Sequence, residues 1–248
     1  MSSMEKKTIL SIVLVILILA LGVLYWAFDR GVLFFSEGSL VPKFSKTAIT
    51  NPMPSFGRQP TFSADFTDKA KEIYMSNVEK LTTALKEDPT RLEAWLDLAI
   101  YYRMVNDNEG AIEIWEYLRK TYPGAGISMH NLGEYYFHTA KDYEKAESYY
   151  LESISASSDI QSNYLDLYDM YKYVYKQDTD AAVDILKKGI ENIQSVSAID
   201  MMVMLGREYR DRGDKENAKK YLTEARDAAQ EAGNRSLSND LTREISAL

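Results

Sequence analysis

Two histidines, a few paired carboxylates and one Asn-rich turn are the residues whose types and spacing could do chemistry in this chain. His130 and His138 stand at i and i+8 of one predicted helix, whereas imidazoles that share a zinc ion on a helix stand at i and i+4. No cysteine and no His-Glu-x-x-His string accompanies them, so they read as surface groups. Asp166 with Asp169, and Glu144 with Glu147, have the types needed for an acid and base pair of the glycosidase kind. On amphipathic helices such acids ordinarily form a solvated face. Residues 106–110 resemble part of a calcium loop, with Gly110 as the sixth position and Glu116 at the twelfth. The first ligand position would then be Val105, which offers no side-chain oxygen, and a predicted helix begins at Ala111. A polar turn is expected there instead. The triplet Asn234-Arg235-Ser236 is a glycosylation acceptor only in a eukaryotic secretory compartment. With no Gly-rich phosphate loop and no Gly-x-Ser-x-Gly elbow, the chain reads as a non-enzyme without cofactor, metal or catalytic residues.

What surrounds these residues is an apolar and acidic chain. Its 248 residues are 46% hydrophobic and 27% charged, enough apolar content for a packed core. A net charge of −8 and a pI near 5.0 oppose nucleic-acid binding, which draws its affinity from lysines and arginines that neutralise phosphates. The absence of cysteine removes disulfides and a lipid-modified cysteine as anchors, so stability rests on packing.

Residues 8–28 form an uncharged run from Thr8 to Phe28, long enough as a helix to cross the ~30 Å hydrocarbon core of a bilayer. Lys6 and Lys7 precede it, Tyr25 and Trp26 stand where an aromatic belt would lie, and Asp29 and Arg30 close it. A cleaved signal peptide would have a shorter apolar region and small residues at its end; Trp26, Phe28 and Asp29 stand there instead. A single transmembrane helix that stays attached is expected, binding the lipid bilayer. Lys6, Lys7 and the terminal amine weigh against Arg30, Lys43 and Lys46, and the cations nearest the span place the N-terminus in the cytoplasm and the rest of the chain outside it.

Residues 29–63 change character. Pro42, Pro52, Pro54 and Pro60 with scattered Gly and Ser rule out a continuous helix, and an extended linker is expected. Phe34, Phe35 and Phe44 leave open that part of it packs on the domain that follows.

From about Asp65 onward the apolar residues recur with a helical period, and a larger repeat emerges. In the first copy Trp95, Leu98, Ala99, Tyr102, Ala111, Trp115 and Pro123 fall in order. Leu132, Gly133, Tyr136, Ala146 and Tyr150 answer to them in the second, with one extra residue in the turn. The third has Tyr164, Leu167, Tyr168, Tyr171, Ala182, Leu186 and Gly189, and the fourth Met202, Leu205, Gly206, Tyr209, Gly213, Ala218, Leu222 and Ala225. The alanines Ala111, Ala146, Ala182 and Ala218 recur at an interval close to the roughly 34 residues of one helical-repeat family. On these positions residues 64–248 resemble the tetratricopeptide repeat family.

The resemblance implies an all-α, right-handed α-solenoid of antiparallel helix pairs. It would comprise a half-repeat at 64–91, repeats near 92–125, 126–160, 161–198 and 199–232, and a capping helix at 235–248. Small residues are needed where paired backbones cross, and large ones fill the space between pairs. The resemblance also implies that the first helices line a groove for a protein or peptide segment. Its candidate residues by register are Arg103; Asn131, Glu134 and His138; Asp166, Asp169, Lys172 and Tyr173; and Arg207 and Arg210. The Lys, Asn and Arg cluster with which some family members hold a terminal carboxylate is matched only by Asn131, so chaperone-tail recognition is not implied. Together these readings predict a membrane-anchored scaffold or adaptor for another protein, facing the extracytoplasmic side and assisting assembly, secretion or folding at the membrane. A cytoplasm-facing receptor or adaptor is the alternative, ahead of an envelope enzyme with a degenerate site in the groove.

Overall fold

The computed structural model describes residues 33–34, 43–44, 51–177, 179–193 and 196–248. Its contacts divide the chain into two compact units, Met1–Pro52 and Met53–Leu248. In the first, β1 (Leu33–Phe34) pairs antiparallel with β2 (Lys43–Phe44), Leu33 opposite Phe44 and Phe34 opposite Lys43. The all-helical expectation held no such ladder; apolar and aromatic residues favour pleated pairing. The expected span at 8–28 lies outside the described residues, and among those that are described no helix is long and apolar enough to cross a membrane.

The second unit is all helix. α1 (Asp68–Glu87) precedes four hairpins: α2 (Leu92–Met104) with α3 (Asn108–Thr121), α4 (Ile127–Tyr135) with α5 (Tyr143–Ala156), α6 (Gln161–Tyr173) with α7 (Ala181–Asn192), and α8 (Ile199–Asp211) with α9 (Lys215–Glu231). α10 (Arg235–Ser246) packs on α9. Each helix contacts its neighbours in sequence, so the architecture is a stack of local pairs.

Small residues decide how closely the pairs approach. A methyl group on Gly133 would come within 2.7 Å of the Tyr150 ring, and one on Gly206 within 2.7 Å of Leu222 Cγ. Ala99, Ala111, Ala146 and Ala218 are fully buried at the corresponding crossings. The large residue that opens a first helix has a polar duty as well. Trp95 Nε1 donates to the Pro89 carbonyl at 3.0 Å and Tyr164 donates its hydroxyl to the Ser158 carbonyl at 2.8 Å. Both reach back to the loop before their helix, which sets its angle of entry while the ring fills the core.

The turns repeat too. Asn106, Lys141 and Gly213 take left-handed backbone, and the next residue in each case, Asp107, Asp142 or Asp214, caps the second helix by accepting from the N–H of Gly110, Lys145 or Asn217. The extra residue of the second copy is absorbed by a wide π-turn over Tyr136–Ala140, closed by Asp142 N–H onto the Tyr136 carbonyl at 2.9 Å.

Residues 53–63, expected within an extended linker, belong to the helical unit. Pro54 is buried, Phe56 stacks on Trp95 with ring centres 5.3 Å apart, and Phe62 meets Tyr74 edge-on at 5.2 Å. Arg58 grips Asp107 through Nε at 2.5 Å and Nη2 at 2.7 Å and reaches Glu113 at 3.3 Å. The prolines that exclude a helix leave an extended strap, and its aromatic side chains bury themselves against α1 and α2.

Candidate functional site

The helix pairs bury their apolar faces against each other, which leaves one polar row along the first helices α2, α4, α6 and α8. A run of polar contacts stitches that row together. Arg103 on α2 stands 3.8 Å from Glu134 on α4 and 5.8 Å above the Trp115 ring. Lys172 on α6 bonds Glu208 on α8 and lies over the rings of Tyr168 and Tyr173. Glu208 is 9% exposed and also takes Arg212 Nε at 3.0 Å. Burial alone would raise its pKa, but the bonds from Lys172 and Arg212 outweigh that and hold the carboxyl below its usual range. Lys172 is the mirror case: burial disfavours its charge, and Glu208 with Tyr168 more than restores it. At the end of the row Arg207 reaches Glu244 of α10 at 3.0 Å and Arg210 reaches the same carboxylate at 2.6 Å.

Between these ties lies a cluster of acids and histidines. Asp166 sits among Glu134, Asp169, His130 and His138, close enough for each charge to act on it. Burial pushes its carboxyl pKa up; the two imidazoles work against that, and Glu134 and Asp169 add to it. Asp169 is pushed up by burial, with His138 and Lys172 opposing. Asp166 is therefore no solvated surface acid, as the helix pattern had suggested, but a partly buried one. His130 departs from expectation in the same way, since its side chain is only 13% exposed.

His130 is also oriented with care. Ser153 donates its hydroxyl to the Gly126 carbonyl at 2.8 Å, so its oxygen accepts from Asn163 Nδ2 at 2.8 Å. That turns Asn163 Oδ1 toward His130 Nδ1 at 3.0 Å, and Nδ1 must carry the proton. The imidazole is thus held with Nδ1 3.9 Å from Asp166 Oδ2. Nothing in the sequence near His130 signals this, because its partners come from the next helices. Among the described residues no group of three or more His, Asp or Glu is placed to hold a metal ion.

Of the ten residues expected in the groove, the structure brings Glu134, His138, Asp166 and Asp169 into one cluster and sets Arg103 at its edge. Lys172, Arg207 and Arg210 are on the row but bound to Glu208 and Glu244. Asn131 is half-buried on α4, and Tyr173 is open, 61% exposed. Sequence reasoning missed two apolar members of the row, Ile100 and Met104 on α2, each 54% exposed. Their signal was present: they fall one and two turns after Leu96, on the face that the apolar pattern leaves outside. It missed Glu208 and Glu244 as well, whose neighbours are set by helix stacking.

Two segments of the chain, residues 128–160 and 199–231, match the tetratricopeptide repeat family. They cover α4 with α5 and α8 with α9. No curated protein matches the chain. Among solved structures, MamA shares the fold at a TM-score of 0.50 and 19% identity, over 68% of this chain and 99% of that one. PilW, a widely conserved type IV pilus biogenesis factor, is similar at a TM-score of 0.43 and 16% identity, over 72% and 87%. YrrB, a tetratricopeptide protein with an unusual peptide-binding site, follows at 0.40 and 15%, over 66% and 97%. On the two matched segments and the fold shared with MamA, this chain carries tetratricopeptide repeats within an all-helical array.

Proposed function

We propose that this chain is a membrane-anchored docking protein that works by binding: residues 8–28 cross the bilayer, and the row of first helices receives a segment of another protein. The observation that carries the docking surface is the contrast within the row. The arginines of α8 are tied to Glu244 of α10, while Tyr173 on α6 and Ile100 and Met104 on α2 stand open, and Asp166 and Asp169 form no ion pair with a lysine or arginine among the described residues. Aromatic and aliphatic groups flanking a few charges are what peptide and protein interfaces use. The uncharged run at 8–28 with Lys6 and Lys7 before it supports an anchor with its N-terminus in the cytoplasm and the array outside, serving assembly, secretion or folding at the membrane. Arg30, Lys43 and Lys46 after the span favour the second reading, a cytoplasm-facing adaptor using the same surface.

The test is affinity capture from crosslinked native membranes, run beside the variant Ile100→Ala/Glu134→Ala/Asp169→Ala/Tyr173→Ala. A protein recovered with the wild type and lost from the variant supports the docking row; equal recovery from both refutes it. Resistance of the protein to alkaline extraction of the same membranes, and protease access from the outer side only, are the results expected for the anchor and its orientation. Release at high pH, or protection of the array in intact cells, overturns them.

A further inference from the structure

We propose that the strap of residues 53–63 is a placeholder in a second docking site, and that its seat on α1, α2 and α3 takes an extended segment of another protein in which an aromatic residue stands two positions before an arginine. The seat uses none of the residues of the first-helix row, and the inference does not rest on the docking reading above.

The strap sits as a bound peptide would. Pro54, Phe56, Arg58, Pro60 and Phe62 are buried or half-buried, and the residues between them are exposed, which is the alternation of an extended chain laid on a surface. Side chains do nearly all the holding. Phe56 stacks on Trp95 with Lys86 over its other side, and Arg58 forks onto Asp107. Among the described residues the strap's one backbone hydrogen bond to the helices is Ser55 N–H to Glu113. Another segment with an aromatic and an arginine at the same spacing can make these contacts, because no continuous ladder has to be rebuilt.

The strap also leaves its seat incompletely filled. Asp107, Glu109 and Glu113 all come within 3.7 Å of the Arg58 guanidinium, one cation against three carboxylates, and Glu109 is open to solvent. An open cleft of about 440 Å³ separates Arg58, Gln59 and Thr61 of the strap from Val105, Asn106 and Asp107 of the α2–α3 turn. Tyr102, 3% exposed, has a hydroxyl with no hydrogen-bond partner, and its ring lies against the Arg58 head: a methyl group on Gly110 would stand 2.7 Å from Tyr102 Cδ2 and 2.5 Å from Arg58 Nε. A buried hydroxyl of this kind ordinarily has a partner. A segment with a second cation after its arginine gains the spare carboxylate charge and the room in the cleft, neither of which Gln59 uses. That surplus sets it against a strap whose tether keeps it at a high local concentration.

The test uses the full chain in detergent and a fluorescent peptide of residues 51–66. Phe56→Ala/Arg58→Ala loosens the strap within the chain, and the peptide should bind this variant at least about tenfold more tightly than the wild type, whose own strap competes. A peptide carrying Gln59→Arg should bind about threefold more tightly again, and one carrying Arg58→Glu should lose nearly all binding. Adding Asp107→Ser to the variant keeps a cap for α3 and should abolish capture. In the wild type, about 1 mM of the Gln59→Arg peptide should speed hydrogen exchange at Ser55, whose N–H leaves Glu113 as the strap lifts. No binding to a strap variant whose helical circular dichroism matches the wild type, equal binding to both chains, binding indifferent to Arg58→Glu in the peptide, or Ser55 exchange unchanged by the peptide overturns the proposal.

Discussion

On α8 the arginines Arg207 and Arg210 both close on Glu244 of α10, whereas one repeat earlier Asp166 and Asp169 have no lysine or arginine in ion-pair reach among the described residues. Both sets face outward from first helices, and neither sequence context separates them. What differs is the neighbour that the stack supplies. α10 brings an acid to the last first helix, and its own Leu241 is fully buried in the core, so charge there joins in closing the array. Inside the array the preceding first helix, α4, brings the acid Glu134 and two imidazoles, and no lysine or arginine closes on Asp166. The same row thus holds a segment that stabilises and a segment that is unfinished, as binding sites commonly are.

Perturbing the two segments should therefore shift stability in opposite directions. The largest effect belongs to the closed end. Ending the chain at Gly233 removes α10, uncovers Ala225, Ala228 and Ala229 and frees both arginines. A loss of about 3 kcal/mol or more, seen as a fall of roughly 10 °C in melting temperature, and concentration-dependent aggregation are expected. A truncated chain that stays monomeric with an unchanged melt would break the comparison.

Next in size is Glu208→Gln, which removes the buried acid shared by Lys172, Arg212 and Tyr168. It should cost about 2 kcal/mol at neutral pH. Because Glu208 titrates below its ordinary 4.5 in the folded chain, its contribution is complete above that value and fades as pH falls through the depressed one. Melts of wild type and variant should therefore converge in acid. A gap that persists at low pH would remove the ion pairs as its cause.

The strap is third. Arg58→Ala should cost about 1 kcal/mol, release Phe56 from Trp95 and speed hydrogen exchange at Ser55, whose N–H bonds Glu113. Unchanged exchange there would show that the aromatic contacts suffice.

The smallest effect has the opposite sign. Asp166→Asn should raise the melting temperature by about 2 °C at neutral pH, because it removes a carboxylate that burial disfavours. The folded-state pKa lies above the ordinary 3.8, so the ionised group costs stability above the raised value and that cost vanishes as pH drops below 3.8. The variant's advantage should disappear in acid. A destabilised Asp166→Asn would mean that the acid serves the fold, and the two segments would no longer differ.

The parts of this fold legible in the sequence were those fixed by local geometry. Where two helix backbones cross, Gly133 and Gly206 fit against Tyr150 and Leu222 where a larger residue would clash, and a small residue recurs there in every repeat but the third, which has Tyr168. The helix caps were equally local, although Asp107, Asp142 and Asp214 were overlooked as a repeating signal. What escaped notice depended on side chains far apart in the chain. Arg58 reads as one cation in a proline-rich run, and only folding sets it against Asp107. His130 reads as a surface histidine because Asn163 and Ser153, which orient it, lie beyond the next turn. For the candidate site, register placed Glu134, His138, Asp166 and Asp169 on one row. It could not show which charges on that row already had partners.

The most direct test of the docking row is photocrosslinking in the native membrane from a benzophenone amino acid placed singly at Ile100, Asp169 and Tyr173 on first helices, and at Lys188 and Glu224 on second helices. All five positions are exposed, so the fold should tolerate each replacement. Covalent adducts of one common mass from the three first-helix positions, with none from the other two, are the predicted result. Adducts from Lys188 or Glu224 while Asp169 and Tyr173 stay silent would place the partner on the opposite face and contradict it.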